Sequence, residues 1–548
     1  MTSFAITQSC CSDASCVAVC PVNCIHPTPD EPDFGLTDML YIDPRSCIGC
    51  GACADACPVD AIFPVDLLRG TSEEAYVDLN REHFADDVPH DEWDEPVFPA
   101  TLAQHAADLR VAIVGTGPAA SYTASALLTT GAEVTMIDRL PVPGGLIRFG
   151  VAPDHQSTKA IASRFATVLR NPRLELVLNV EVGTHVTHAE LLDQHDAVVY
   201  AVGAVADRRL DVPGEDLVGS MSARTFVGWY NAQPEIAADS VELGPAARGR
   251  AVIVGNGNVA LDAARILLSD TDGPGGLAGT DIADHALTAL RSSDVSEVVL
   301  VARRGPDEAA YSLSELRPLL ARADVEVVVD GGPEVSAVIA GAAPGSKAAA
   351  LQGVPVLPVD WSAPAEPTRR RLVLRFDSVV DLLEDDGAGH VAGVVLDGGA
   401  ATVPSGLVLR SVGYRSEPVA GLPFDEATHT VPHTAGRVLD PVSGEPLDST
   451  YVVGWIKRGP RGGIGSNRAD AAETVGALVE DANARRITAG RGSARGFRRL
   501  VRTRRPEALG RREVESIDRA ERTRGEASGR PRVKLATVED LLATARRR

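Results

Sequence analysis

Short apolar runs, each followed by a glycine-rich turn, set the organisation of most of the chain. The first run, VAIVG at 111–115, predicts a buried β-strand that leads through a turn into a helix reaching about Leu128. The next run, EVTMID, ends at Asp138. This order predicts a dinucleotide site, with pyrophosphate at the helix N-terminus and Asp138 on the ribose hydroxyls. The turn residues are Gly115, Gly117, Pro118 and Ala119.

A second run repeats the arrangement in AVIVGNGNVALDAARILL at 251–268, with Gly255 and Gly257 in the turn. Its second strand, VVLVARR, comes late because a helical segment, DIADHALTALRSS, intervenes. Where an NAD site would end in an acid, this strand ends in Arg303 and Arg304. Guanidinium groups suit a 2′-phosphate, which favours NADP over NAD. The alternative for a loop arginine is a solvated surface side chain.

These patterns predict an α/β fold in which two Rossmann-like nucleotide-binding domains follow a small α+β module. At 548 residues the chain can hold three or four domains. The stretch at 332–366 is predicted to be a connecting lobe or loop, and the arginine-rich tail to be partly helical. The predicted ranges are 1–65 for the module, 66–107 for an acidic linker or wrapping segment, 108–207 and 396–548 for the first nucleotide domain with the tail, and 208–395 for the inserted second nucleotide domain.

Cysteine is confined to the start of the chain, since all nine cysteines lie between Cys10 and Cys57. The first 25 residues have neither a basic start nor an apolar stretch, so no secretory signal is expected and a metal site is favoured over disulfides. The last four cysteines form C-x2-C-x2-C-x3-C-P, a spacing typical of iron–sulfur clusters. Zinc is the main alternative, but structural zinc sites usually use two separated pairs.

Three earlier cysteines fit the first, third and fourth positions of the same motif, and Asp13 stands at the second. Because the fourth cysteine of each run ligates the other cluster, two iron–sulfur clusters are predicted. Cys11 competes with Cys10 for the first position, and Cys24 is expected to be a small buried thiol. One predicted ligand set is Cys20, Cys47, Cys50 and Cys53; the other is Cys10, Cys16 and Cys57, with Asp13 as a possible fourth ligand.

The net charge of −22 is unevenly distributed. Residues 1–107 carry 19 Asp and Glu against three Arg, whereas residues 485–548 carry 20 Lys and Arg against eight acidic residues. Both regions can be solvated faces; alternatively, the basic tail steers an acidic electron-transfer partner. No nucleic acid partner is expected, because the basic residues bring neither interleaved aromatics nor a binding motif. No apolar run of 18 residues occurs, so no membrane span is expected and the predicted location is cytoplasmic.

Four segments, GVAPDH, GNGNVALD, ARRGP and GWIKRGP, carry a family resemblance and occur in the family's order. From residue 108 to at least 470 the chain resembles the adrenodoxin-reductase type of ferredoxin–NADP⁺ reductase. The cysteine region resembles bacterial two-cluster ferredoxins, in which a missing second cysteine often means a [3Fe–4S] rather than a [4Fe–4S] centre. The whole arrangement resembles the actinobacterial fused ferredoxin/ferredoxin–NADP⁺ reductase.

The resemblance implies FAD at the first dinucleotide site and NADP(H) at the second. Gly462 would lie where flavin and nicotinamide meet. The residues implied for FAD are Ala119, Asp138, Gly145, Leu146 and Val182, with Trp455 and the backbone of Gly462, Gly463 and Ile464 at the isoalloxazine. Those implied for NADP are Asn258, Val259, Arg303, Arg304 and Glu315.

Asp154 and His155, in GVAPDH, are catalytic candidates together with Trp455. A flavin that accepts hydride and releases electrons singly must also release a proton, which an imidazole could relay. The alternative is a structural turn in which Asp154 bonds its own backbone.

The expected function is ferredoxin–NADP⁺ reductase activity, in which electrons pass from NADPH through FAD to the clusters. From there they would reach an external acceptor, such as a monooxygenase or another ferredoxin. A disulfide reductase is excluded because it needs a redox cysteine pair beside the flavin, and no cysteine follows Cys57. Two alternatives remain open: an electron-input subunit resembling the glutamate synthase small subunit, and clusters that act only as structural staples.

Overall fold

The computed structural model describes most of the chain, and the architecture below rests on that part. The described residues are 2–34, 37, 39–71, 73–85, 100–243, 249–488, 490 and 492–546. Residues 86–99 of the predicted linker therefore lie outside them. Within the described ranges, no helix is both long and apolar enough to cross a membrane.

The N-terminal module is built from two antiparallel strand pairs. Phe4–Ile6 pairs with Ile62–Pro64, and Ile25–His26 pairs with Tyr41–Ile42. Asn80 joins the two pairs, because its Oδ1 accepts the backbone N–H groups of Ile6 at 3.1 Å and Ile42 at 2.8 Å. A buried amide satisfied in this way fixes the pairs relative to each other. The helices of the module are Val17–Val19 (a 3₁₀ turn), Ala52–Ala56, Val65–Leu68 and Ala75–His83.

The helix Ala75–His83 falls inside the range predicted to be a linker. Its Tyr76 and Leu79 are buried in the same apolar cluster as the cysteine loops, and it supplies the bridging Asn80. The first part of that segment therefore packs as part of the module. The acidic composition of this segment predicts a linker. The helix nevertheless packs into the module, because two apolar side chains on one face, Tyr76 and Leu79, are buried there.

The first nucleotide domain has a seven-stranded sheet whose parallel part carries the predicted dinucleotide turn. In sheet order its strands are His433–Thr434, Arg437–Leu439, Pro446–Val452, Ala197–Tyr200, Arg110–Val114, Glu133–Asp138 and Leu174–Leu178. Strands buried on both faces read as continuous apolar runs, which is why the sequence pattern revealed them. The helices are Pro118–Thr130, Leu146–Phe149, Gln156–Lys159, Ile161–Leu169, His188–Gln194, Trp455–Arg458 and Ser466–Asn483.

The second nucleotide domain has a seven-stranded parallel sheet and a three-stranded antiparallel one. The strands of the first are Ser220–Ser222, Leu407–Arg410, Arg250–Val254, Glu297–Val301, Arg371–Arg375, Glu326–Asp330 and Val356–Leu357. Those of the second are Val380–Asp385, Val391–Leu396 and Ala401–Pro404. The helices of eight or more residues are Ala223–Tyr230, Asn258–Leu267, Asp284–Arg291, Leu313–Leu320 and Pro333–Ala340.

The limits of this domain differ from the predicted ones in two ways. Its sheet continues to Arg410, beyond the predicted end at 395, because Leu407–Arg410 inserts between two earlier strands. The stretch at 332–366, predicted to be a lobe or loop, contributes the helix Pro333–Ala340 and the edge strand Val356–Leu357. Strand pairing over such sequence distances leaves no local signal. Ala206–Asp207 and Tyr414–Arg415 pair antiparallel where the chain passes between the two domains.

The basic tail forms three helices, Ala494–Arg504, Arg511–Ser528 and Val538–Ala545. It packs on the first nucleotide domain, where Phe497 is fully buried against the ring of His195 at 4.9 Å between centroids. Several of its arginines pair with that domain, as in Arg498 with Glu175. The partly helical tail expected from the sequence is thus present and docked.

A buried ionic network joins the tail to both nucleotide domains. Lys534 of the tail and Lys159 of the first domain both bind the carboxylate of Asp281 in the second domain, at 2.8 and 2.7 Å. Although burial alone would raise the pKa of Asp281, the two ammonium groups hold it well below its usual range. The tail therefore acts as a strap across the two domains.

Glu521 is the second buried anchor of this strap. Its side chain is fully buried and accepts from Arg148 at 2.5 Å, from Arg532 at 3.0 Å and from the backbone N–H of Leu535 at 2.9 Å. Glu521 is the counter-charge that the two guanidinium groups share, and Arg532 also pairs with Asp518 at 2.9 Å.

We predict that Glu521→Ala destabilises the protein strongly, because it leaves Arg148 and Arg532 without their shared counter-charge. Breaking a buried pair from one side costs about 3–5 kcal/mol. The matched control is Arg522→Ala on the same helix, which breaks the exposed pair with Asp518 and should cost less than about 1 kcal/mol. Thermal unfolding of the two variants measures the difference; equal midpoints would contradict the anchoring role of Glu521.

Candidate functional site

The cysteines of the module line two separate cavities. The first is lined by Cys10, Cys16 and Cys57, together with Cys11 and Asp13. The second is lined by Cys20, Cys47, Cys50 and Cys53, together with Cys24. These are the two groups that cross-ligation predicts, with the fourth cysteine of each run lying at the other run's cavity.

The protonation chemistry of the thiols fits sites built for metal. Burial raises the pKa of Cys10 and of Cys53 to about 11. In the second cavity the Cys24 thiol lies 3.4 Å from Cys20 Sγ. A separate hydrogen bond between Cys24 and Cys47 lowers the pKa of Cys47 to about 5. Thiols that bind a metal must lose their protons, and the bound cations compensate the negative charge that results. The donor sets therefore fit iron–sulfur clusters, and Cys24 is the buried thiol expected, placed beside two predicted ligands.

Asp13 is buried and held from several sides. Its Oδ1 accepts the N–H of Ser15 at 3.0 Å, and its Oδ2 accepts the Ser15 hydroxyl at 2.7 Å and the Arg164 guanidinium at 3.1 Å. Arg468 donates to its backbone carbonyl at 2.8 Å. Both arginines belong to the first nucleotide domain, so the first cysteine cavity lies at the boundary between the module and that domain.

The first dinucleotide turn has the geometry that a pyrophosphate site requires. Gly115 has φ +116°, and a Cβ there would overlap the carbonyl oxygen of Ala201. A Cβ on Gly145 would lie 2.9 Å from the Cα of Gly117, so the two glycines allow their backbones to approach closely at the start of helix Pro118–Thr130, whose N-terminus suits an anion. Leu146 begins the next short helix and is 37% exposed. Val182 is partly buried in the turn that follows strand Leu174–Leu178.

Asp138 is fixed at the end of its strand beside this turn. Its Oδ2 accepts the Thr116 hydroxyl at 2.6 Å, and its Oδ1 accepts the N–H of Leu140 at 2.9 Å. Burial raises the pKa of Asp138, and the hydrogen bond from Thr116 opposes that rise. A carboxylate held in this way at the strand end suits ribose hydroxyls.

The segment 454–465 connects the first turn to the module. A Cβ on Gly454 would lie 2.7 Å from the Cβ of Ala119, so the segment starts against the helix of the first turn. Trp455 donates its Nε1–H to the carbonyl of Arg461 at 3.1 Å and stacks on the ring of Tyr414. At its end, beyond Gly462, Gly463 and Ile464, Gly465 donates its N–H to the carbonyl of Cys11 at 2.6 Å.

The second dinucleotide turn repeats the first. Gly255 has φ +118° and a Cβ there would overlap the carbonyl oxygen of Ser411, while Gly257 caps helix Asn258–Leu267. Asn258 accepts the N–H of Ser312 at 2.8 Å through its Oδ1, and Val259 is partly buried beside it. The turn is therefore tied to the loop that precedes helix Leu313–Leu320.

Arg303 and Arg304 follow directly after strand Glu297–Val301 and are both exposed. Within the part of the chain that the structure describes, neither side chain has an ion-pair partner. Free guanidinium groups at the end of this strand remain available to a 2′-phosphate.

A cluster of charged groups lies where the two nucleotide domains meet. The ligand atoms of His155, Asp262 and Glu315 lie within 4.8 Å of one another. Arg265 binds the carboxylate of Asp154 at 2.6 and 3.2 Å. Although burial alone would raise the pKa of Asp154, Arg265 and His155 lower it to about 2. Asp154 is therefore an ionised partner of Arg265, and a hydrogen bond from its own backbone N–H, as in the predicted turn, also lowers its pKa.

The module reaches this cluster as well. Gln8, two residues before Cys10, donates to Glu315 at 2.7 Å, and Tyr76 donates its hydroxyl hydrogen to the carbonyl of Ser314 at 2.7 Å. Burial raises the pKa of Glu315. The module thus contacts both nucleotide domains, and its first cavity lies near both predicted cofactor sites.

Sequence reasoning missed several of these residues. Asp262 and Arg265 carried a usable signal, because they lie three positions apart on the helix after the second turn. Gln8, Arg164, Arg468 and Gly465 carried none, since each meets partners more than 140 positions away in the chain.

Two protein-family models match the chain. The model described as "4Fe-4S binding domain" matches residues 40–63, and the one described as "Pyridine nucleotide-disulphide oxidoreductase" matches residues 109–304. The first covers the C-x2-C-x2-C-x3-C motif, and the second covers both dinucleotide turns.

Curated relatives match along nearly the whole length. A probable ferredoxin/ferredoxin–NADP reductase of Mycobacterium tuberculosis is 46% identical, covering 98% of this chain and 94% of its own. Its counterpart in Mycobacterium leprae is 43% identical, covering 99% and 98%. The solved structure of Mycobacterium tuberculosis FprA with NADPH is 40% identical and covers 80% of this chain and 99% of its own, with a TM-score of 0.70. The chain belongs to the ferredoxin/ferredoxin–NADP reductase family.

Proposed function

We propose that this chain oxidises NADPH and passes the electrons through FAD to two iron–sulfur clusters, and from there to an external acceptor protein. The observation that carries the proposal is the contact between Gly465 and Cys11, at 2.6 Å between N and O. It joins the segment expected at the isoalloxazine to the loop of the first cysteine cavity. The predicted flavin site and the predicted first-cluster site are thereby contiguous within one chain.

The residues assigned to each cofactor fit the chemistry that it requires. The turn at 115–119 and Asp138 would hold FAD, and the turn at 255–259 with Arg303 and Arg304 would hold NADPH. When bound, the flavin supplies the conversion between hydride transfer and single-electron transfer, which iron–sulfur clusters require. The relative FprA, solved in complex with NADPH, supports this assignment.

The charged cluster has two proposed roles: His155 handles a proton, and Asp154 positions a loop. His155 would hold the proton that leaves the flavin site, with the carboxylates of Asp262 and Glu315 within 4.8 Å. Asp154 would instead position the GVAPDH loop against the second domain, because its carboxylate is bound by Arg265. Trp455, stacked on Tyr414, would shield the flavin from water.

We predict that anaerobic addition of NADPH reduces the clusters of the purified holoprotein. EPR spectra of the oxidised and NADPH-reduced protein report on the nuclearity of each centre and on the arrival of electrons. Dithionite is the control, since it reduces the clusters without NADPH or flavin. Bleaching of the flavin by NADPH with no change in the cluster signals, while dithionite changes them, would contradict the relay and favour structural clusters.

We predict that Arg303→Ala combined with Arg304→Ala lowers the preference for NADPH over NADH by about 100-fold or more. Each hydrogen bond to a charged group is worth about 1.5–3 kcal/mol, and NADH lacks the 2′-phosphate that would receive it. The measurement is kcat/KM for both nucleotides with an artificial electron acceptor. Arg369→Ala, an exposed arginine of the same domain paired with Glu326, should leave the ratio unchanged. An unchanged ratio in the double variant would place the 2′-phosphate elsewhere.

A further inference from the structure

Asp13 replaces a cysteine in the first cluster motif, yet its carboxylate is already engaged by protein groups. Its two oxygens accept from the Ser15 N–H, the Ser15 hydroxyl and Arg164, at 3.0, 2.7 and 3.1 Å. Only 4% of its side chain is exposed. A buried carboxylate needs such partners, and using it as an iron ligand would require breaking them.

The groups that hold Asp13 come from the reductase part of the chain. Arg164 lies on helix Ile161–Leu169, and Arg468 lies on helix Ser466–Asn483. Arg468 donates to the Asp13 carbonyl at 2.8 Å and to the Ser15 hydroxyl at 3.1 Å, and Arg164 donates to the same hydroxyl at 3.0 Å. Two helices of the first nucleotide domain thus converge on one three-residue stretch of the module.

Two residues before this stretch, Cys11 makes a backbone contact between the two parts. Gly465, at the N-terminus of the Arg468 helix, donates its N–H to the Cys11 carbonyl at 2.6 Å. Cys11, Val59 and Ala61 of the module are buried in the same apolar cluster as the core of the first nucleotide domain. The first cysteine cavity is therefore enclosed at this boundary.

We propose that Asp13 is a positioning residue: through Arg164 and Arg468 it latches the first-cluster loop, residues 10–16, onto the reductase part of the chain. Asp13 is not a ligand of the first cluster. The first cluster then has three cysteine ligands from Cys10, Cys16 and Cys57, and it is the centre that takes electrons from the flavin. This inference rests on the proposed function, because it assigns an order within that relay.

The second cysteine cavity is the later site in the proposed order of electron transfer. Cys50 is exposed and Ile48 is 45% exposed, so this cavity has an edge open to solvent. One hydride from NADPH carries two electrons and one proton. When bound, the two clusters would accept one electron each, the first directly from the flavin and the second by way of the first, and the proton would return to solvent.

The test compares Asp13→Asn with the double variant Arg164→Ala/Arg468→Ala in the full-length holoprotein. Stopped-flow spectroscopy separates reduction of the flavin by NADPH from the later transfer to the clusters. Both variants should leave flavin reduction unchanged and slow flavin-to-cluster transfer severalfold, because electron transfer slows as the distance between donor and acceptor grows. Amide hydrogen exchange at Gly465 should become faster in both. Replacing Arg164 with Lys rather than Ala should retain part of the protection of the Gly465 amide against exchange.

EPR of the oxidised proteins distinguishes a latch from a ligand. The first-centre signal should be the same in the wild type and in both variants. A changed signal in Asp13→Asn but not in the arginine variant would identify Asp13 as a ligand and overturn the proposal. Unchanged transfer rates in both variants would overturn it too. Failure of NADPH to reduce any cluster in the wild type would instead contradict the proposed function.

Arg317→Ala is the matched control at the same boundary. Arg317 pairs with Glu82 of the module at 2.6 Å, at the edge next to the second nucleotide domain. Its loss should change neither the Gly465 exchange rate nor the transfer rate. An equal effect of Arg317→Ala would show that any boundary ion pair serves, and that Asp13 has no special place.

Discussion

The close approach of two backbones at Gly465 and Cys11 is the constraint on which the arrangement of the chain depends. A Cβ at position 465 would overlap the carbonyl carbon of Ser12, so only glycine permits the contact. The requirement is one of space, because φ at Gly465 is −71°, a value open to any residue. The latch at Asp13 and the Gln8–Glu315 bond surround this contact and hold it closed.

Buried ion pairs then fix the larger parts relative to one another. Asp154 with Arg265 joins the two nucleotide domains beside the charged cluster. Asp281, shared by Lys159 and Lys534, joins them again on the side of the tail. Such pairs add little net stability but are costly to break from one side, so they favour a single relative orientation. A relay between cofactors benefits from that, because transfer depends on fixed separations.

Local patterns in the sequence predicted the parts of the molecule that fold locally. Both glycine turns, the strand ending at Asp138 and the two cysteine groups could be found because each is defined by spacing over a few dozen residues. Strand Leu407–Arg410 could not be assigned to the second domain, since it pairs with strands more than 150 residues earlier. The contacts that dock the module on the nucleotide domains could not be predicted from the sequence either. An arginine at 164 or 468 has no local feature that separates it from other surface arginines.

Asp13, which stands at a cysteine position of the motif, connects the local sequence pattern with the long-range docking contacts. Within the motif it reads as a lost or altered ligand, and spacing alone leaves that question open. In the folded chain, the same carboxylate lies between the module and two helices of the reductase, where a thiol could not bind a guanidinium as strongly. Fusion to the reductase therefore gives this position a role in docking, at the boundary where the first cluster must receive electrons.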